Sequence, residues 1–224
     1  MKGDARLNSE LLELLELLEL LSYCVSCAGP NDRLYLRVRS SRTSRQEILQ
    51  KLSRVFRRDG YSGASLADLA DAVGLGKASL YQKFPDGKVQ MGAEVLAEIG
   101  RAFETEVLAA AREAGPVDAR FARMLAGVRK FYEDGKLSCV LDSLSLGEAG
   151  QLYRESLSAG INHWLEALSG LGREAGLSPA KAAVWAEEVV ITIEGSLILA
   201  RAGNDPEIFR RALKRLGKRI ETKD

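Results

Sequence analysis

The sequence predicts an all-α fold, with an N-terminal three-helix helix-turn-helix unit followed by a helical body. Three observations carry that reading. From Ser44 onward, apolar residues recur at spacings of three and four, the period of a helix that buries one face. Helix-start devices recur along the chain: Ser44 and Ser65 each have an acid three residues on, and Ser178-Pro179 and Asp205-Pro206 place a proline behind a capping residue. No segment sustains the two-residue alternation of a strand.

The first forty residues stand apart. Glu10 to Leu21 repeats Glu-Leu-Leu with a period of three. Each such step turns a helix by about 300°, so the glutamates spiral around it and no apolar face forms. Residues 1–40 therefore read as a low-complexity or disordered extension: a frayed helix, translated sequence upstream of a later start, or a partner-binding segment. A helix-turn-helix domain over 41–90 and a helical domain over 91–224 complete the division.

Helix 1 is predicted over Ser44–Arg58, with Ile48, Leu49, Leu52, Val55 and Phe56 on its buried face and Asp59-Gly60 ending it. Ser65-Leu-Ala-Asp68 opens helix 2, whose core residues are Leu66, Leu69, Ala70 and Val73. Gly74-Leu-Gly76 makes the turn. Helix 3 runs from Lys77 to Phe84 and is closed by Pro85, because the residue before a proline is pushed out of helical geometry. One long helix follows over Lys88–Ala114, then Val117–Asp134, an irregular piece around Leu137–Leu146, Gln151–Ala175, an apolar helix to Ala202 and a basic helix to Ile220.

Charge is distributed unevenly. The formal net charge is +1, yet Arg33–Lys88 carries twelve basic residues against five acidic, while residues 1–32 carry two against six. A basic module on a neutral or acidic body suits a protein that grips phosphates at one end. On helix 3, Leu80 and Phe84 share the side that faces helices 1 and 2. Ala78 and Gln82 point the other way, flanked by Ser79 and Tyr81, and that outward face is the one such a unit lays into the major groove of double-stranded DNA. Gln82 can pair with adenine in bidentate fashion, Ser79 with several base edges, and Ala78 can pack on a thymine methyl. Lys77 and Lys88 suit phosphates, as do the N-terminal amides of the helix that Ser65 caps, and Tyr81 can offer a hydroxyl while its ring packs inward. The same pattern also suits a three-helix corner of a larger bundle.

Gly60-Tyr61, Ser65, Asp68-Leu69-Ala70, Gly74-Leu75 and the run Lys77 to Pro85 resemble, position by position, the N-terminal domain of TetR/AcrR-type repressors. Asp86-Gly-Lys88 resembles the start of helix 4 in that family. The likeness covers about fifty residues. The chain departs from it at Gly76 and Ala64, where the family carries a hydroxyl residue, and at Gln82 and Lys83, where it carries aromatics or histidine. The resemblance implies a homodimeric, ligand-responsive repressor on a palindromic operator, with the last two long helices pairing across a two-fold axis and an unidentified small-molecule effector in the body. Activation in place of repression stays open.

Val184, Ala186, Val189, Val190, Ile193, Leu197 and Ile198 place apolar residues on more than one face of the helix after Pro179, which either dimerises or completes an intrachain core. Candidate ligand contacts are polar or aromatic residues in apolar surroundings: Cys139, Asp142, Trp164 and Glu194 foremost, with Ser138, Tyr153, His163 and Ser196 behind them. Cys139 would act as a thiol sensor only if partly exposed in an electropositive setting.

Three cysteines suit a reducing compartment, and Cys24-Val-Ser-Cys27 has no second ligand pair, so no metal or cofactor is expected. The glutamates within Leu11–Leu21 exclude a secretory core, and no apolar run reaches the ~20 residues that span a bilayer, so a cytoplasmic protein with no membrane partner is expected. One histidine, no nucleophile elbow and no phosphate-cradling loop argue against an enzyme. The competing class is a helical small-molecule-binding or partner-binding scaffold that no longer reads DNA, which the bare caps at Gly76 and Ala64 motivate.

Overall fold

The computed structural model describes Ser44 to Arg219. The leucine repeat, the Cys24/Cys27 pair and the reading of residues 1–40 as an extension lie outside the described residues. Within them the chain forms ten α-helices: α1 (Arg45–Gly63), α2 (Leu66–Val73), α3 (Lys77–Lys83), α4 (Gly87–Glu106), α5 (Val117–Phe131), α6 (Val140–Leu144), α7 (Gly147–Leu152), α8 (Arg154–Glu174), α9 (Pro179–Ala202) and α10 (Glu207–Arg219). Two 3₁₀ turns, Leu108–Arg112 and Glu133–Gly135, join them, and no strand occurs among the described residues.

The local devices predicted from sequence set the helix starts. Ser44 and Ser65 each accept from the backbone N–H three residues on, while Glu47 and Asp68 reach back to the cap, closing two capping boxes. Ser178 caps α9, with Pro179 in its first turn, and the Asp205 carboxylate accepts from the Glu207 N–H at 3.0 Å.

Helix ends depart from expectation in three places. The first helix continues to Gly63 and kinks at Gly60, whose φ of 68° and ψ of 179° only glycine adopts without strain. The long helix over Lys88–Ala114 breaks at Val107 and continues as a 3₁₀ turn. There α5 presses in so closely that a Cβ on Gly127 would stand 2.6 Å from the Glu106 carbonyl oxygen. The segment over Gln151–Ala175 is two helices, α7 and α8, meeting at Tyr153.

Two apolar clusters form. One gathers Leu108, Phe121, Met124, Val128 and Trp164 with Val189, Ile193 and Leu197 of α9 and Phe209 of α10. The other joins the buried faces of α1–α3 to Met91, Val95 and Leu96 of α4 and to Val140, Leu144, Ala149 and Tyr153. The three-helix unit is therefore closed by α4, α6 and α7, not by its own residues alone. At Gly92 the α4 backbone lies against Tyr153, whose hydroxyl donates to the Val89 carbonyl at 2.9 Å; a Cβ at Gly92 would stand 2.3 Å from that oxygen. On α9, Ala186, Val189, Val190, Ile193 and Leu197 are buried, while Val184, Ile191 and Ile198 form an exposed stripe at seven-residue intervals.

Candidate nucleic-acid interface and effector cavity

Helix α3 is seven residues long, too short to hold itself in water, so its position depends on what grips its inner side. Leu80 and Phe84, 1 % and 0 % exposed, seat it against α1 and α2. The left-handed Gly74 ends α2 and turns the chain into it. Gly76 begins it without a side-chain cap.

A second device secures its far end. Arg45, in the first turn of α1, donates to the Lys83 carbonyl at 2.8 Å, pairs with both Glu94 carboxylate oxygens on α4, and stacks 3.8 Å over the Phe84 ring. One guanidinium thus ties α1, α3 and α4 together, and it holds the Glu94 carboxyl below its ordinary range. Sequence reasoning passed over Arg45 as one basic residue among many; the signal available was its place one residue behind a capping serine.

With its inner face held, α3 turns Lys77, Ala78, Ser79, Tyr81, Gln82 and Lys83 outward, all exposed. The Tyr81 ring lies near Gly87, so its hydroxyl end is the part left for a partner. Ser65 differs from these. Its Oγ is consumed within its own capping box, donating to Asp68 Oδ2 at 2.5 Å, so α2 offers backbone N–H groups there and not the side chain. Lys88 is part-buried, donating to the Ala64 carbonyl at 2.9 Å with its ammonium 4.4 Å from the Tyr61 ring centre. Two of its three N–H donors remain for a phosphate.

The helical body encloses a cavity of about 260 Å³ between α1, α4, α5, α6 and α8. Cys139 and Trp164 line it, with Phe103 edge-on to both Phe131 (5.1 Å) and Trp164 (4.8 Å). Asp142 and Glu194 do not. They border a separate, open groove with Leu157 and Ile198, because three residues beyond Cys139 the short α6 has turned its other side outward. Asp142 there accepts from Arg201 at 3.2 Å. Glu194 approaches the cavity wall from behind, with the Tyr132 hydroxyl 3.5 Å from its Oε1 and 3.5 Å from the Cys139 sulfur. Burial pushes the Glu194 carboxyl up to about 7. Burial likewise pushes the Cys139 thiol up to about 12, and at 3 % exposure it lacks the access a sensor needs.

The remaining candidates have structural occupations. The Ser138 carbonyl accepts from Arg57, Tyr153 packs on α4, and Ser196 donates to the Ile193 carbonyl. His163 is exposed on the cavity rim, its Nε2 2.5 Å from Glu104. Among the cavity residues that sequence reasoning did not single out, the charged one is Arg57 of α1, 3 % exposed. Its position four residues after Ser53 and eight after Leu49, both buried, was the only hint.

A polar recognition-helix face on a seated trihelical unit, carried by a helical body with an aromatic cavity, defines the helix-turn-helix class of transcriptional regulators. The family model "Bacterial regulatory proteins, tetR family" matches residues 48–95. A second, "Transcriptional regulator LmrA/YxaF-like, C-terminal domain", matches residues 116–215. The chain belongs to the TetR family of transcriptional regulators, and as such it is a regulator, not an enzyme. It is 26 % identical over 168 residues to the HTH-type transcriptional regulator LmrA of Bacillus subtilis (strain 168), covering 70 % of this chain and 86 % of LmrA. The fold is shared with a TetR regulator from Legionella pneumophila, with a TM-score of 0.68, 20 % identity, and coverage of 79 % of this chain and 97 % of that one. It is shared also with a cysteine mutant of the TetR-family regulator CifR solved with 26 bp double-strand operator DNA, with a TM-score of 0.60, 22 % identity, and coverage of 76 % and 96 %. No described helix is long and apolar enough to cross a membrane.

Proposed function

We propose that this chain is a cytoplasmic, homodimeric repressor whose 41–90 module binds a palindromic operator and whose 91–224 module binds a small effector that releases it. The exposed face of α3, polar and basic while its opposite side is fully buried, is the observation that supports this most directly. Ala78, Ser79 and Gln82 are assigned to base edges, and Lys77, Lys88, the Tyr81 hydroxyl and the amides at the Ser65-capped end of α2 to phosphates. That CifR, which shares the fold, was solved with operator DNA supports operator binding by this chain.

A dimer is supported by the stripe of Val184, Ile191 and Ile198, exposed at 56 %, 69 % and 43 %. Residues at seven-residue intervals lie on one line along a helix, the arrangement that pairs with a copy of itself across a two-fold axis. Two such subunits present two recognition helices to successive major grooves. For the effector, Cys139 and Trp164 are assigned to the cavity, with Asp142 and Glu194 acting from its surroundings. Release requires only that ligand favour a helix arrangement whose two heads no longer match the groove spacing; a coupling of about 1–3 kcal/mol weakens binding roughly 5–150-fold.

Selection from random-sequence duplexes tests the reading. It is expected to return a palindrome, bound with an affinity that falls steeply with salt. Lys77→Ala flattens that salt slope by about one unit. Gln82→Ala leaves the slope alone and relaxes base preference at one position in each half-site. Selection that enriches no sequence, or binding indifferent to salt, refutes the proposal in favour of a scaffold.

A further inference from the structure

Arg57 is a buried cation that makes no ion pair among the described residues; Glu133 and Glu194 act on it only through space. It belongs to α1, the helix whose other buried residues support α3, yet its guanidinium end lies on the cavity of the body. Nη1 donates to the Ser138 carbonyl at 2.7 Å, and the charge is 5.4 Å and 5.9 Å from the ring centres of Phe131 and Tyr132. Its Nε is buried and donates to nothing. The nearby glutamate Glu133 is engaged instead by Arg54 at 2.6 Å, on the exposed surface. Desolvation accordingly dominates the environment of Arg57 and lowers its hold on its proton. A carbonyl and two ring faces do not neutralise a buried guanidinium, which ordinarily has a carboxylate or phosphate partner.

Trp164, on the same cavity, supplies a second orphan. The residue is 2 % exposed and its indole N–H is buried without an acceptor. Two unmet donors, one charged, therefore belong to residues that line a chamber whose other walls are aromatic edges, aliphatic side chains such as Leu96, Ile99 and Leu108, and small residues, with His163 at its rim. Its volume of about 260 Å³ sits just below the usual range for ligand pockets, roughly 300–1,000 Å³, which limits the occupant to one or two fused rings.

From this geometry we infer that the effector is a small aromatic anion whose oxygen atoms are held by the Arg57 guanidinium. The inference deepens the effector reading above and rests on it. Its consequence is specific: the charge of the ligand bears on α1 itself, three residues before the Gly60 kink and one residue after Phe56 of the recognition-unit core. The effector then acts on the scaffold of the DNA-binding unit directly, as well as through the helices of the body.

The test uses the full chain and a matched pair of probes, 2-naphthoate and its neutral isostere 2-naphthamide, followed by calorimetry. Naphthoate is expected to bind the wild type roughly ten- to a hundredfold more tightly than naphthamide, the worth of charge-assisted hydrogen bonds in a buried site. Arg57→Gln abolishes that preference, weakening naphthoate binding far more than naphthamide binding, and Arg57→Lys keeps part of it. Should Arg57→Gln fail to fold, the probe preference of the wild type and its reduction in Arg57→Lys decide the matter. Equal affinity for the two probes, binding of neither, or a preference that survives Arg57→Gln overturns the inference. Because calorimetry needs no DNA, a protein that discriminates the probes but selects no operator refutes the repressor reading and leaves the anion site standing.

Discussion

Glu194 makes the stability of this protein depend on pH in a direction opposite to that of most carboxylates. Burial on α9, with Asp142 adding like charge, outweighs the Cys139 and Tyr132 contacts and the smaller pull of Arg57, raising the carboxyl from an ordinary 4.5 to about 7. The native chain therefore holds this proton more tightly than the unfolded chain does. Its contribution is fully present below pH 4.5 and is lost as pH rises through about 7. A rise of that size corresponds to about 3 kcal/mol, an upper figure because local relaxation and water entry reduce it. Urea unfolding at fixed protomer concentration, repeated between pH 5 and pH 8, is expected to show this loss on top of the background of other groups. Glu194→Gln cannot ionise, so its stability should fall less over the same interval and exceed that of the wild type at pH 8. Parallel pH profiles for the two proteins would refute the reasoning, since they would mean that Glu194 is solvated in the native state.

Three further outcomes follow from the geometry. Leu80→Ala removes the fully buried residue that seats α3 and should cost about 2–5 kcal/mol of stability, read by denaturant midpoint, together with operator affinity. Arg45→Met keeps the packing on Phe84 but releases the Lys83 carbonyl and Glu94; the ion pair is partly exposed, so about 1 kcal/mol is expected, with faster amide exchange confined to the end of α3. Ile191→Glu places a charge at the centre of the exposed α9 stripe and should yield monomers by sedimentation, with operator affinity falling while thermal stability of the isolated subunit changes little.

Features governed by neighbours in sequence are legible in it. The Ser65–Asp68 box, the Gly74 turn and the outward set on α3 follow from local chemistry and helical period, and the structure places them accordingly. The break at Val107 is not legible, because its cause is Gly127, twenty residues on, pressing against the Glu106 carbonyl. Asp142 and Glu194 look like cavity residues on polarity alone; which side of α6 and α9 meets the aromatic chamber depends on packing across the whole body. Arg57 shows the converse. Basic residues on a helix near a DNA-reading unit invite a phosphate role, and only the three-dimensional arrangement turns this one inward.

The clasp formed by Arg45, Glu94 and the Lys83 carbonyl has a mechanical consequence. It joins the reading head to α4 so that the two swing together, making α4 a lever arm whose fulcrum is the tight seat of Gly92 on Tyr153. At about 1.5 Å per residue Gly92 lies about 7.5 Å from the Gly87 end and about 21 Å from the Glu106 end, so a tilt of about 5° moves the chamber end by about 1.8 Å and the head end by about 0.7 Å. The reading head sits on the short arm and turns through the same angle, so in this architecture a rotation at the chamber reorients α3 more than it translates it.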